Sequence, residues 1–302
     1  MHIPDGFLSA PVWIALDVTG VPAVAWLARR AARSLEDTHA PLLGVMGAFV
    51  FAAQMINFPV GVGASGHLVG GALLACTLGP APAALVMTAI LLLQALVFQD
   101  GGILALGANV WNMAILGVLA GYLPFHYWSS GAWRRAAVFV GGLLSVLVSA
   151  CLAISELLLS GVAIPAAALG LSLVVFLVTA MLEGAITLAV FQSLESLDPG
   201  WVRPGAAVPR RALGALATAA VLLACVGVLV ASAAPDGLER LADQVGIADR
   251  ARSLIATPLA DYELRGLASS RLGKAAAGLA GLALVYGVCV VVSRRMTRRG
   301  SP

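Results

Sequence analysis

The sequence predicts an all-α integral membrane protein. Hydrophobic residues make up 60% of its 302 residues and charged residues only 11%, a composition far from that of soluble domains. Apolar runs of about 20 residues, the length that a helix needs to cross a bilayer, recur along the whole chain. Clusters of arginine alternate with these runs. We therefore expect about nine membrane-spanning helices, a lipid bilayer around them and no nucleic-acid partner.

The predicted spans follow one another with short connections and one polar linker. In chain order they cover residues 12–27, 42–58, 67–79, 83–98, 103–124, 136–159, 166–191, 213–233 and 275–292. The third span is short and is opened by His67. The linker, at 198–211, contains Pro199, Arg203 and Pro204. We place a domain boundary there, which gives membrane domains of residues 1–200 and 201–302.

The distribution of arginine predicts the orientation in the membrane. Loops rich in Lys and Arg stay on the cytoplasmic side. With nine crossings, the clusters at 29–33, 134–135, 203–211 and 294–299 all fall on one side, and the long loop of mixed charge at 235–274 falls on the other. We therefore expect a plasma (inner) membrane protein with an extracytoplasmic amino terminus and a cytoplasmic carboxyl terminus.

The first two residues, Met1 and His2, form a metal chelator by covalent geometry. The free amine of Met1, the backbone nitrogen of His2 and the Nδ1 of its ring can close two fused rings around one ion. Three nitrogens then lie nearly in a plane and leave one position open, an arrangement that suits Ni(II) and Cu(II). The alternative is that a histidine at the second position has no function and that Pro4-Asp5-Gly6 is an ordinary turn.

A second imidazole would complete the plane, and the predicted topology selects which one. The other histidines are His39, His67 and His126. His39 and His126 fall beside the basic loops on the inner side, whereas His67 falls on the same side as the amino terminus. His67 is thus the predicted fourth ligand, although a loop histidine can also be an ordinary polar residue.

Polar side chains inside the apolar runs predict the surroundings of the metal. Amide side chains are costly in lipid unless they find partners inside the bundle. We expect a set of polar residues to bury the metal and fix the His67 loop: Gln54, Asn57, Ser65, Gln94, Asp100 and Asn109. Helix–helix hydrogen bonding is the alternative for the amides and is favoured for Asn112; Asp100 could instead cap a helix. For Glu156 and Glu183 we expect structural or coupling roles.

Several segments resemble the CbiM/NikM family, the metal-capture components of energy-coupling-factor (ECF) transporters for cobalt and nickel. The resemblance covers roughly residues 1–195. The matching segments are MHIPDGFL at 1–8, FAAQMINF at 51–58, SGHLVGG at 65–71, DGG at 100–102, LGAN at 106–109 with Asn112-Met113, and EGAIT at 183–187.

The second part resembles the small CbiN/NikN partner of that family. It has two predicted spans, and the loop between them opens with Pro235, Asp236, Gly237, Leu238 and Glu239, the motif that names the PDGLE module. The chain thus resembles a natural fusion, with a seven-helix substrate-capture bundle followed by a two-helix membrane module that carries an extracytoplasmic loop. In the family, the small partner is needed for metal loading, so this motif is expected to face a partner surface.

The resemblance implies a substrate-binding (S) component that imports Ni(II) or Co(II) as transported substrate, with no catalytic cofactor. Its implied ligands are the amine of Met1, the backbone and ring nitrogens of His2, and the ring of His67. Its implied partners are two cytoplasmic ATPases and a transmembrane coupling (T) component; the chain itself lacks a phosphate-binding loop. The alternatives are an intramembrane metalloenzyme and an ATP-independent metal channel or facilitator. The sequence does not choose between nickel and cobalt.

Overall fold

The computed structural model describes residues 1–33, 39–61, 63–198, 210–227, 230–264 and 270–300. Within them the fold is almost entirely helical, with one short hairpin of strands β1 (Phe58–Gly61) and β2 (Ala64–Gly66). The helices are α1 (Ala10–Ala32), α2 (Ala40–Gln54), α3 (Gly71–Leu78), α4 (Pro80–Phe98), α5 (Leu106–Trp128), α6 (Arg134–Leu159), α7 (Ala166–Leu197), α8 (Arg210–Cys225), α9 (Gly237–Val245) and α10 (Ser270–Gly300).

The long helices are those of a protein that spans a membrane several times. Among the described residues, six helices are long and apolar enough to cross a bilayer: α1, α4, α5, α6, α7 and α10. Helix α2 is equally apolar but has only 15 residues. The all-α membrane fold predicted from composition is thus confirmed, while the count of nine crossings stays a prediction.

The second and third predicted spans were wrong in extent. Helix α2 ends at Gln54, and the chain then turns into the β1–β2 hairpin instead of continuing to residue 58. Helix α3 has 8 residues, which rise about 12 Å, far less than the roughly 30 Å of a bilayer core. Its two ends are glycines with positive φ, Gly70 at 77° and Gly79 at 81°, a conformation that interrupts an α-helix and that glycine adopts easily.

The second predicted domain packs along the first. The glycines of α2 face α10, because a Cβ on Gly44 would lie 2.6 Å from the ring of Tyr286 and one on Gly47 would lie 3.1 Å from Sγ of Cys289. Helices α6 and α7 approach equally closely, at Gly142 and Gly184. The predicted linker residues 199–209, and with them the boundary between residues 200 and 201, lie outside the described residues.

One end of the bundle gathers the loops that matter for the site. Residues 1–9, 55–70, 99–105 and 230–264 all meet there, joined by backbone hydrogen bonds such as Ser65 N to Pro235 O (2.8 Å) and Arg252 N to Asp5 O (2.9 Å). The basic residues that begin α6 and α8, and those that end α1, lie at the opposite end.

A bulky side chain at Gly142 should destabilise the bundle, because its Cβ would lie 2.7 Å from Cα of Gly184. We expect Gly142→Leu to lower the free energy of unfolding by about 1–3 kcal/mol, the usual cost of overpacking. Gly170→Leu is the matched control, since a Cβ at Gly170 meets nothing within 4 Å. Thermal unfolding in detergent measures both; equal melting temperatures would contradict the close packing of α6 on α7.

Candidate metal centre

The amino-terminal segment is fixed inside the protein by Asn109 at the start of α5. The amide of Asn109 pairs with both backbone groups of Ile3: Ile3 N donates to Oδ1 at 2.8 Å, and Nδ2 donates to Ile3 O at 3.1 Å. Gly102 N also donates to Ile3 O, at 2.8 Å. Ile3 is fully buried. Asn109, predicted to lie around the metal, therefore anchors the chain one residue after Met1-His2, the predicted chelating pair.

Asp5 gives the segment a second anchor. Its carboxylate accepts hydrogen bonds from three successive backbone amides, Ile103 N (3.0 Å), Leu104 N (2.7 Å) and Ala105 N (3.2 Å). These amides precede α5 and would otherwise lack partners. Asp5 is 3% exposed. The Pro4-Asp5-Gly6 turn is therefore a fastening point for the amino terminus.

The loop that carries His67 enters the bundle and is held there by Glu183 of α7. Val69 N and Gly70 N donate to the two oxygens of Glu183 at 2.7 and 2.8 Å. Glu183 lies about 25 Å along α7 from Ala166, at a rise of about 1.5 Å per residue. Residues 64–70 are all buried. The sequence assigned Glu183 only a structural or coupling role, and its contact with the His67 loop was missed.

The amine of Met1 faces the ring of His67. Met1 N lies 2.9 Å from Nε2 of His67, and Nδ1 of His67 lies 3.0 Å from Leu68 O. Because the carbonyl can only accept, Nδ1 carries the proton and Nε2 presents a lone pair to the amine. Burial, and after it the nearby amino terminus and His2, lower the pKa of His67 to about 4. The imidazole is therefore neutral at physiological pH, as a metal ligand must be.

His2 lies beside His67 with its ring nearly parallel. The ring centroids are 5.6 Å apart and the planes differ by 3°. Nδ1 of His2 lies 3.0 Å from Oδ1 of Asp100, and Nε2 has no hydrogen-bond partner among the described residues. The structure thus brings together all three residues predicted as ligands. However, Nδ1 of His2, the nitrogen that the fused rings require, is bonded to Asp100.

Asp236 of the PDGLE motif reaches the same point from the second half of the chain. Its Oδ2 forms an ion pair with the Met1 amine and lies 3.9 Å from Nε2 of His67. Burial opposes ionisation of Asp236, but the charged amine of Met1, which also donates a hydrogen bond to it, outweighs burial, and the pKa of Asp236 is lowered to about 2. The sequence predicted a partner-facing motif here; the described residues place it against the chain's own amino terminus.

The contacts of Asp236, Gly237 and Glu239 explain why the motif has these residues. Oδ1 of Asp236 accepts from Leu238 N (2.7 Å) and Glu239 N (2.9 Å), and Glu239 returns a bond to Asp236 N at 2.8 Å. This capping box begins α9. Gly237 is required because a Cβ there would lie 2.7 Å from Cε1 of Phe176 on α7. One carboxylate thus starts a helix with one oxygen and holds the amine with the other.

Some of the remaining polar residues predicted to surround the metal lie at the site, and others make structural contacts away from it. Ser65 donates through Oγ to Ala234 O at 2.7 Å and so ties the His67 loop to the PDGLE segment. Asn57 offers its backbone carbonyl to Ser232 N, at 2.7 Å. Asn112 donates to Glu156 at 2.8 Å, a contact between α5 and α6.

Gln54, Gln94 and Asp100 do lie near the site, and they are joined by a residue that the sequence analysis missed. Tyr262 donates to Oδ2 of Asp100 at 2.5 Å and accepts from Nε2 of Gln94 at 3.1 Å. Gln94 also donates to Oε1 of Gln54, at 2.9 Å. Tyr262 lies in a loop without a recognisable pattern, so only its place in the fold reveals it.

Two protein-family profiles match this chain. The profile of the CbiM family, described as the cobalt uptake substrate-specific transmembrane region, matches residues 2–201. The chain belongs to the CbiM family. The PDGLE domain profile matches residues 210–298, so this CbiM-family chain carries both modules and the resemblance seen in the sequence is confirmed.

Relatives of this CbiM-family chain are transport proteins. A putative fused nickel transport protein NikMN of Archaeoglobus fulgidus is 34% identical over 97% of this chain and 98% of its own length. The cobalt transport protein CbiM of Acetoanaerobium sticklandii is 36% identical over 49% of this chain and 62% of its own. A crystal structure described as a truncated transition metal transporter is 30% identical, with a TM-score of 0.58, over 65% of this chain and 99% of that one. A transport protein, and not an enzyme, is therefore indicated.

Removing the carboxylate of Asp5 should release the amino terminus. In Asp5→Ala, three buried or partly buried amides lose their acceptor, which typically costs about 1–3 kcal/mol for each group left unsatisfied. We expect the Met1 amine to react faster with an amine-directed acylating reagent, measured by mass spectrometry of the amino-terminal peptide. Asp243→Ala, on the exposed side of α9, is the control. Equal labelling of both variants would contradict the anchoring role.

Proposed function

We propose that this chain is the substrate-capture component of an ECF transporter that imports Ni(II) or Co(II). The metal binds to four nitrogens: the amine of Met1, the backbone and Nδ1 nitrogens of His2, and Nε2 of His67. The observation that carries the proposal is the buried approach of the Met1 amine to Nε2 of His67, at 2.9 Å. A divalent cation placed between the buried amine and the lone pair of the neutral imidazole would bind both nitrogens in one coordination plane.

Metal binding replaces protons in this site. The amine and the backbone nitrogen of His2 must each lose a proton to bind the ion, whereas His67 is already neutral. One ammonium charge and one amide proton are thus exchanged for one divalent cation, so the net charge of the buried site does not change. This balance favours capture in a pocket where an added charge would be costly.

The surroundings supply negative charge to attract a cation. Asp100 and Asp236 both lie next to proposed ligands. Burial opposes ionisation of Asp100, but the His2 imidazole and the Tyr262 hydroxyl outweigh burial and lower its pKa. Two carboxylates beside the ligands raise the local concentration of divalent cations and offset the cost of removing their hydration.

We propose the assembly from the resemblance to the family. Residues 1–200 would form the capture domain and residues 201–302 the PDGLE module, with the amino terminus outside the plasma membrane and the carboxyl terminus in the cytoplasm. Two cytoplasmic ATPases and a transmembrane coupling component would supply the energy for reorientation and release. Ni(II) is the first ion to test, because a full-length fused relative is named as a nickel transport protein.

Adding one residue before Met1 tests the chelate. The extension moves the amine away from the His2 backbone nitrogen and destroys the fused rings, while the helices stay intact. We expect the affinity for Ni(II), measured by equilibrium dialysis of the purified protein, to fall roughly a hundredfold or more.

The same residue added after residue 302 is the matched control, and it should leave the affinity unchanged. Undiminished binding of Ni(II) by the amino-terminal extension would refute the site. Uptake of Ni(II) into liposomes that hold this chain alone, without ATP, would instead favour an independent facilitator.

Asp236 should increase Ni(II) affinity through the oxygen that faces the Met1 amine, and not through its role as the N-cap of α9. Asp236→Asn keeps an N-cap acceptor for α9 but removes the charge beside the amine and His67. We expect Ni(II) affinity to fall roughly tenfold to a hundredfold, as for other residues that support metal ligands. Glu239→Gln, which preserves the capping box, is the control. A similar loss in both variants would mean that Asp236 acts only through the helix.

A further inference from the structure

Asp100 holds the nitrogen of His2 that the proposed chelate needs. Nδ1 of His2 lies 3.0 Å from Oδ1 of Asp100. The other oxygen of Asp100 accepts a hydrogen bond from the hydroxyl of Tyr262 at 2.5 Å. A ring nitrogen that is bonded to a carboxylate cannot bind a metal at the same time. The contact seen in the structure and the four-nitrogen chelate therefore exclude one another.

Tyr262 is itself fixed by a chain of amides that leads to the other imidazole. Its hydroxyl accepts from Nε2 of Gln94 at 3.1 Å, and Gln94 donates to Gln54 at 2.9 Å. Nε2 of Gln54 donates to Val69 O at 2.7 Å, two residues after His67. The chain of hydrogen bonds that starts at His2 thus ends in the His67 loop.

The backbone on both sides of the contact between Asp100 and Tyr262 is strained. Within the described residues, the non-glycine residues with positive φ are Gln99 (58°), Asp261 (56°) and Tyr262 (56°). Gln99 precedes Asp100, and the other two belong to the turn that presents the tyrosine. Strain of this kind persists only where surrounding contacts enforce it, and it concentrates at functional sites. Here the enforcing contact includes the ring of Phe98, stacked on Tyr262 at 4.9 Å.

The His2 ring can pass between the two arrangements by a half-turn about its Cβ–Cγ bond. A half-turn exchanges Nδ1 with Cδ2 and keeps the ring plane, so the parallel arrangement with His67 (3° between planes) is preserved. After the half-turn, Nδ1 of His2 faces the metal and has lost its hydrogen bond to Asp100. In the orientation seen here, Nε2 of His2 is buried without a partner among the described residues, which makes this orientation easier to leave.

We propose that Tyr262, acting through Asp100, is a positioning residue for metal capture. It holds the His2 ring with Nδ1 turned away from the chelate until an ion arrives, and so gives a loop of the second module control over the rate of loading. This inference rests on the proposed function, because it takes the four-nitrogen chelate as the loaded state.

Tyr262→Phe tests the inference, since it removes the hydroxyl and keeps the ring on Phe98 and the charge of Asp100. The side chain of Asp100 is 32% exposed, so it can turn to water once its tyrosine partner is lost. We expect the association rate of Ni(II) to rise about threefold or more, in proportion to the fraction of molecules with Nδ1 free, while the dissociation rate is unchanged. Stopped-flow absorbance of purified protein mixed with Ni(II) measures both rates.

Tyr286→Phe, on α10, is the matched control and should keep the wild-type rates. Gln94→Leu is a second variant that loosens Tyr262 from its other side; it should raise the association rate in the same direction and serves if Tyr262→Phe is poorly folded by circular dichroism. An unchanged or slower association, or a change confined to dissociation, would overturn the inference. Wild-type protein that binds no Ni(II) would overturn the proposed function instead, so the two failures are distinguishable.

Discussion

The buried approach of the Met1 amine to the His67 ring is the contact on which the rest of this structure depends. A free amino terminus is normally mobile and hydrated, and it becomes a reproducible ligand only if the chain after it is fixed. Asn109 and Asp5 supply that fixation through backbone hydrogen bonds of Ile3 and of residues 103–105. Glu183 does the same for the His67 loop. The first two anchors fix the amino-terminal segment to the start of α5 and the third fixes the His67 loop to α7, so the geometry of the site depends on how these helices pack.

The PDGLE module adds to this constraint in two ways. Its Asp236 bonds to the amine itself, and its backbone pairs with both the hairpin and the amino-terminal segment, at Ser65 and at Asp5. Its Tyr262 reaches Asp100 from another part of the same loop. A fused chain keeps these contacts at a high effective concentration, because the two modules cannot separate. Fusion therefore makes physical sense where a loop of one module completes a pocket of the other.

Much of the fold was accessible from the sequence, because membrane spans leave a strong signal. Apolar length predicted the membrane class and the positions of the long helices, although the observed ends of α8 (Cys225) and α10 (Gly300) differ from the predicted ones by several residues. The errors occurred where hydropathy is uninformative: the segment after α2 is mostly apolar, yet its described residues form a hairpin, a buried loop and the short helix α3. Glycines at 61, 63, 70 and 79 have positive φ there, a conformation that hydropathy does not reveal.

The sequence by itself determined which atoms we propose as metal ligands. The amine, amide and imidazole of Met1-His2 are joined by covalent bonds, and the alternation of charge along the chain left His67 as the histidine on their side. Only the tertiary structure decided what controls those atoms. Glu183, Asp236 and Tyr262 are separated from the proposed ligands by more than a hundred residues, and the hydrogen bonds that Asp100 accepts are directional. No spacing in the chain could have shown that Asp100 holds Nδ1 of His2, because that contact exists only where four separate segments meet.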